Sequence, residues 1–195
     1  IHGYYLLNLL HTNNIVHNNI NVNNLLTNKY NFLYIKDFSC SVDLTKSIDY
    51  NLLKEGNIPL EFKILLENNK NKILPNKILI NKFTKNVDYY FSNEKENKQY
   101  CNNLIKYFSE IEEIDDISFN EYLKIIDIHN FSYLMYKIIE NNFVINEFII
   151  EIKKILFEII CPPYNSNALE IMYSFKNQYI KWGKIYLSKN KILNY

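Results

Sequence analysis

The stretch that decides the fold reads Ile15-Val16-His17-Asn18-Asn19-Ile20-Asn21-Val22-Asn23-Asn24-Leu25-Leu26 and resumes at Tyr34-Ile35-Lys36-Asp37-Phe38-Ser39. In a chain so rich in asparagine a lone His-Asn-Asn carries no information, but joint spacing does. Asn19 and Asn24 stand five apart, and the interval from Asn24 to Asp37 has room for two short strands and a tight turn. Leu25-Leu26-Thr27 and Phe32-Leu33-Tyr34-Ile35 are the apolar runs, with Asn28-Lys29-Tyr30-Asn31 supplying turn chemistry between them. The expected unit is a hairpin with polar side chains at both of its ends.

Working outward, 195 residues make one domain or one lobe, enough to bury a core. The net charge of +1 creates no field that would draw nucleic acid or an anionic membrane surface. There are 22 lysines and no arginine, while Gly (3) and Pro (4) are scarce, a composition typical of an AT-biased genome. Loss of an arginine from any motif is therefore partly mutational drift. Cys40, Cys101 and Cys161 are odd in number, far apart and without a C-x-x-C pair, so reduced thiols are expected rather than disulfides or a zinc site. That points to the cytoplasm, or to a host cytoplasm for a viral chain. His2, His11, His17 and His129 share no metal-ligand spacing with the cysteines. No apolar run is long enough to span a bilayer and no signal peptide is visible, although the chain opens on Ile1 rather than Met.

Helical periodicity places a helix over residues 4–13 through Tyr5, Leu6, Leu9 and Leu10. A second follows Tyr100, Leu104, Ile105, Phe108 and Ile111, while Glu67 to Lys72 is polar throughout and reads as a loop. Ser118-x-x-Glu121 has the form of a capping box opening a strongly apolar helix from Tyr122 to Ile139. Asp127 is the lone acid within that helix. It either sits on a solvated stripe or has a buried partner, because an unpaired buried charge is very costly. From Asn146 to Ile160, Phe148, Ile152, Ile155 and Ile159 form the expected buried stripe, and Glu147, Glu151, Lys154 and Glu158 the wet one. A last helix opens near Asn167 and runs to about Lys181, leaving 183–195 as a C-terminal tail.

The His17 to Ser39 pattern resembles the catalytic and metal-binding loops of a eukaryotic-type protein kinase, H-R-D-L-x-x-x-N followed by D-F-G. His17, Asn24, Asp37 and Phe38 match. Asn18 stands in the Arg slot, Asn19 in that of the catalytic Asp, and Ser39 in that of the Gly. Leu10-His11 resembles the end of the preceding helix, and Asp127 to Tyr136 the D-x-W-S-L-G segment of the central one. Pro59-Leu60-Glu61 is similar to A-P-E, with Asn165 where the partner Arg of Glu61 would be. The implied fold is mainly α with a small β component: a large C-terminal kinase lobe over 1–182, with an insertion at 67–117. No G-x-G-x-x-G or V-A-I-K-like segment occurs, so the small N-terminal lobe is expected to be absent from this chain.

The resemblance implies that Asn24 and Asp37 hold Mg²⁺ and, with Leu26 as the floor under adenine, ATP. A carboxylate and an amide oxygen suit a hard cation, and a plain core role for Leu26 is equally consistent. His17, Phe38, Glu61 and Asp127 take structural roles, with the Asp127 carboxylate bonded to backbone near His17-Asn18. Asn19 and Asn21 occupy catalytic positions without their chemistry. An amide cannot take a proton, and base loss costs about 10²–10⁴ in rate. Asn21 replaces the Lys that many kinases place there. Three functions follow: an impaired kinase-like scaffold or regulatory partner of another protein, a slow Ser/Thr kinase acting on a protein substrate, or a helical interaction protein unrelated to kinases.

Overall fold

The structure is a computed structural model and describes residues 1–56, 59, 62, 91–110, 116–143, 146–162, 164 and 167–192. It is mainly α with a small β component. Helix α1 (His2–Thr12) leads into strand β1 (Ile15–Val16), a 3₁₀ turn (Val22–Asn24), β2 (Leu25–Thr27), β3 (Leu33–Ile35) and β4 (Val42–Asp43). The helices α2 (Tyr50–Glu55), α3 (Glu94–Glu110), α4 (Asp116–Asn142), α5 (Glu147–Ile160) and α6 (Ala168–Ile192) follow.

Two antiparallel strand pairs nest one inside the other. β2 pairs with β3 in the register Leu25↔Ile35, Leu26↔Tyr34 and Thr27↔Leu33. Around it, β1 pairs with β4 as Ile15↔Asp43 and Val16↔Val42. The inner turn is made by Asn28, whose Oδ1 accepts the N–H groups of Tyr30 and Phe32, while Asn31 takes a left-handed φ of 62°. Asparagine tolerates that conformation because its short amide bonds locally. The consequence is spatial: residues 17–24 and 36–41 are carried side by side.

Helix α4 is the axis of the helical part. Residues 126–132 are buried without interruption over about two turns, so neighbours surround that part of the helix. It packs on α5, on α1 and on β1. Tyr4 of α1 meets Phe131 edge-on with ring centroids 5.0 Å apart, stacks on Phe175 of α6 at 5.5 Å, and bonds Ser132 Oγ at 2.7 Å. A single side chain thus ties α1 to α4 and α6. Each fully buried residue such as Leu7, Leu123, Ile126 or Leu156 contributes about 2 kcal/mol by leaving water.

Four expectations are corrected. α4 includes Asp116 and Ser118, so the helix is already under way before Tyr122, where it was expected to open. The deepest residues of α5 are Leu156, Phe157 and Ile160, with Ile152, Ile155 and Ile159 only partly buried, because both α4 and α6 cover it and rotate its buried face. α6 continues through 183–192, where a tail was expected, with Trp182 Nε1 donating to Glu151 at 2.9 Å and Lys181 pairing with the same carboxylate. Ile105 is 41% exposed, although Tyr100 and Leu104 on the same helix are fully buried. Glu61, Asn165, Ile111 and the polar run from Glu67 lie outside the described residues, as do residues 67–90 and 111–115 of the expected insertion.

Candidate functional site

Asp127 is fully buried, so the solvated-stripe reading fails. Its Oδ2 accepts the backbone N–H of His17 at 2.6 Å and its Oδ1 that of Asn18 at 2.8 Å. His11 Nε2 lies 3.4 Å from Oδ2. One carboxylate from the central helix therefore satisfies two backbone donors that would otherwise be orphaned in the core. The loop after β1 is fixed in place by a residue more than a hundred positions away.

His17 is also fully buried. Its Nε2 donates to the carbonyl of Lys36 at 2.9 Å, and its Nδ1 accepts the N–H of Asn19 at 3.3 Å. The ring lies edge-on to Phe38, centroids 4.7 Å apart, leaving Phe38 half exposed. Lys36 N–H in turn donates to the carbonyl of Asn24 at 3.0 Å. These bonds bring the residue before Asp37 against Asn24, so the two candidate metal ligands come from adjoining backbone.

Asn18 adopts a left-handed φ of 60°. Its Nδ2 points at the carbonyls of Cys40, Leu52 and Leu53, at 3.2, 3.3 and 3.2 Å. The Asn18 amide thus ties the loop to Cys40 and to the end of α2 by neutral bonds. Its Oδ1 is buried with no partner among the described residues. Gly56 lies so close that a Cβ there would stand 2.1 Å from the carbonyl oxygen of Asn18, so no larger side chain fits.

Asn19 is partly buried, and its Oδ1 accepts a hydrogen bond from Asn21 Nδ2 at 2.9 Å. The same Nδ2 is 3.1 Å from the Asn19 carbonyl, which also accepts from Asn24 Nδ2 at 2.9 Å. Asn21 Oδ1 meanwhile accepts the N–H of Asn23, capping the 3₁₀ turn. The loop is closed on itself by amides. Asn24 is nearly buried, and its Oδ1 makes no hydrogen bond among the described residues.

Asp37 is exposed, with a left-handed φ of 63°. Ser39 Oγ donates to its Oδ1 at 2.6 Å, and the Ser39 N–H lies 3.4 Å from the same oxygen. Those two bonds hold the carboxyl below the usual aspartate range. Leu26 is 49% exposed on the outer face of the inner hairpin, directly opposite Tyr34, which excludes a core role for it.

Among the described residues no cluster of three or more His, Cys, Asp or Glu side chains is arranged to hold a metal ion. The expected pair, the Asp37 carboxylate and the Asn24 amide oxygen, belongs to backbone segments joined by the bond from Lys36 N–H to the Asn24 carbonyl. This set fits a cation such as Mg²⁺ that keeps water and takes phosphate oxygens as its other ligands. Cys40, Cys101 and Cys161 are free thiols. No helix among the described residues is long and apolar enough to cross a membrane.

Sequence reasoning missed His11 as the third donor around Asp127 and Ser39 as the partner of Asp37. His11 had a signal, being a polar residue closing an apolar helix ahead of the loop. Comparison of the chain with protein-family models, with curated proteins and with solved structures finds no match in any of the three.

Proposed function

We propose that this chain is a protein-kinase-like large lobe whose phosphoryl-transfer chemistry is disabled and that acts as a scaffold or regulatory partner of another protein. The observation that carries the reading is the loop anchored by Asp127, with Asn19 at its centre. Its Oδ1 is already bonded to the Asn21 amide, and it has no carboxylate to accept a proton. Positioning and charge neutralisation do most of the protein's work in phosphoryl transfer, with a carboxylate orienting the hydroxyl. Here the elements of position persist and the base does not. Asn24 Oδ1 and Asp37 would hold Mg²⁺, which when bound neutralises the phosphates of ATP. Leu26, exposed beside Tyr34, offers an apolar surface for a flat base.

The test has two arms. In the ¹⁵N-labelled chain, Mg²⁺ with ATP should shift the Asn24 side-chain amide and the Asp37 and Ser39 backbone amides, and Asp37→Ala should abolish those shifts. Shifts that survive the substitution would refute the metal role. Asn19→Asp keeps the side-chain shape and restores a carboxylate, so phosphoryl transfer from ATP to dephosphorylated casein should rise by about 10²-fold. Turnover in the unmodified chain that Asp37→Ala abolishes would favour the slow Ser/Thr kinase instead.

A further inference from the structure

The inner hairpin has one edge in use and one left open. Lys36 N–H donates to the Asn24 carbonyl and Asn28 N–H to the Phe32 carbonyl, each at 3.0 Å. Bonded pairs alternate along an antiparallel ladder, so Leu26 and Tyr34 are the bonded pair between them. The N–H and C=O groups of Leu25 and Thr27 therefore point away from β3. On the opposite edge the same alternation turns Leu33 outward, and its N–H is received by His2 Nδ1 of α1 at 3.2 Å. The outward groups of Leu25 and Thr27 make no hydrogen bond among the described residues. Two donors and two acceptors at strand spacing are what an added strand requires. Natural edges are blunted by lysine, proline or a bulge, and β2, Leu25-Leu26-Thr27 in unbroken register, has none of them.

The surroundings set the chemistry of the added strand. Leu26, Tyr34 and Phe32 share the outer face and are about half exposed. Phe32 meets His2 edge-on at 5.6 Å, and His2 stacks on Tyr5, which extends the apolar strip onto α1. A residue set opposite Leu26 would be in a non-bonded pair, where side chains come closest, so an apolar side chain fits there. Lys36 stands across from Asn24 at the start of β2 and Lys29 two residues beyond its end, both exposed. Residues 1–36 hold no Asp or Glu. The first carboxylate in the chain, Asp37, is already bonded by Ser39. A second copy would set this acid-free surface against itself, whereas an incoming strand with acids at both ends meets an ammonium at each.

We propose that the β2 edge binds an extended acidic segment of a partner protein, with its backbone bonded to Leu25 and Thr27, an apolar side chain on Leu26, and carboxylates beside Lys29 and Lys36. The inference deepens the partner role proposed above and rests on it, while needing neither metal nor nucleotide.

Titration of the full ¹⁵N-labelled chain with the peptide acetyl-EEVTVTVEE-amide tests this. The comparison probes are the same peptide N-methylated at both threonines, which keeps its charge and removes its bonding edge, and acetyl-KKVTVTVKK-amide. Binding should be saturable, with the Leu25 and Thr27 amides moving most and gaining protection from solvent exchange. N-methylation should weaken it about tenfold, and Lys29→Gln and Lys36→Gln should each weaken it about threefold. Thr27→Pro removes an N–H that β3 does not use and should abolish binding with the His17 and Asn18 amides unmoved. The reporting amides differ from those of Asn24, Asp37 and Ser39 that read Mg²⁺ with ATP, so failure here is separable from failure of the kinase-like reading. The proposal is overturned by the lack of a saturable response, by equal binding of the N-methylated or the lysine-flanked peptide, or by full binding in Thr27→Pro. Protection of the same two amides by protein concentration alone would put a second copy on the edge and overturn it too.

Discussion

At the scale of the residue, Asp127 decides the most. Its two oxygens accept two backbone N–H groups and face His11, all in the core. Removing the carboxylate strands those donors, and each unsatisfied buried group costs about 1–3 kcal/mol. Asp127→Ala should therefore destabilise the chain by about 3–5 kcal/mol, lowering Tm by about 10 °C. Thermal unfolding followed by circular dichroism reads this directly. A loss of less than about 2 °C would mean that the loop does not depend on this anchor. Asp127 was legible in the sequence because a lone acid on an apolar helix demands a partner. The identity of that partner came from resemblance, and His11 went unseen because no spacing rule joins positions 11 and 127. Ser39 registered only as a departure from glycine. Its bond to Asp37 depends on a left-handed turn that the sequence does not announce.

Among the elements, long periodic segments were legible and short or heavily packed ones were not. α1, the inner hairpin, α3 and α4 form where apolar spacing placed them, but α1 buries Tyr4 and Leu7 and leaves Tyr5 and Leu9 of the expected face exposed, as α3 leaves Ile105. β1 and β4 have two residues each, too few to show alternation, and they exist because each pairs with the other. The α5 stripe was misplaced because its apolar residues exceed one face, and packing chose among them. Gly3 illustrates how packing overrides propensity. Alanine in place of a helical glycine is ordinarily worth about 1 kcal/mol. A Cβ on Gly3, however, would lie 2.0 Å from Phe131 Cζ, and Phe131 is itself buried edge-on against Tyr4. Overpacking of that kind costs about 1–3 kcal/mol, and Gly3 lies in the first turn of α1, where the propensity gain is smallest. Gly3→Ala should thus be net destabilising in urea unfolding, and Phe131→Leu should relieve part of the loss in the double variant. A stabilised Gly3→Ala chain would show that α1 does not sit this close to α4.

For the whole molecule, the balance of shifted groups sets the pH range of stability. On the acid side, the Thr45 hydroxyl and N–H with Lys46 hold Asp43 down at about 2, and the Ser39 hydroxyl and N–H lower Asp37. Glu151 is lowered by Trp182 and Lys181. Burial pushes Glu140 up, but the Ser92 hydroxyl and Lys137 and Lys153 outweigh it and bring it down. A folded value below the unfolded one means that this stability is complete above the ordinary carboxylate range and is lost as pH falls toward about 2. On the alkaline side, burial pushes Tyr4 up against its Ser132 bond. Burial with the Tyr122 bond raises Tyr107, and burial with the Glu96 carboxylate raises Tyr136. Here the folded values exceed the unfolded one, so stability is complete below about pH 10 and is lost above it. The two limbs differ in weight. Asp37, Asp43 and Glu151 are solvent-screened and contribute little, whereas Tyr4 is wholly buried and must ionise in the core or unfold. Tm should be level between about pH 5 and 9 and fall more steeply above about pH 10 than below about pH 4. Lysine deprotonation acts in the same direction at high pH, and Tyr4→Phe separates the two causes. It removes the ionisable hydroxyl while keeping the ring between Phe131 and Phe175, so the alkaline limb should become shallower at the cost of one bond to Ser132. An alkaline limb identical in Tyr4→Phe would assign the loss to lysines and remove Tyr4 from the account.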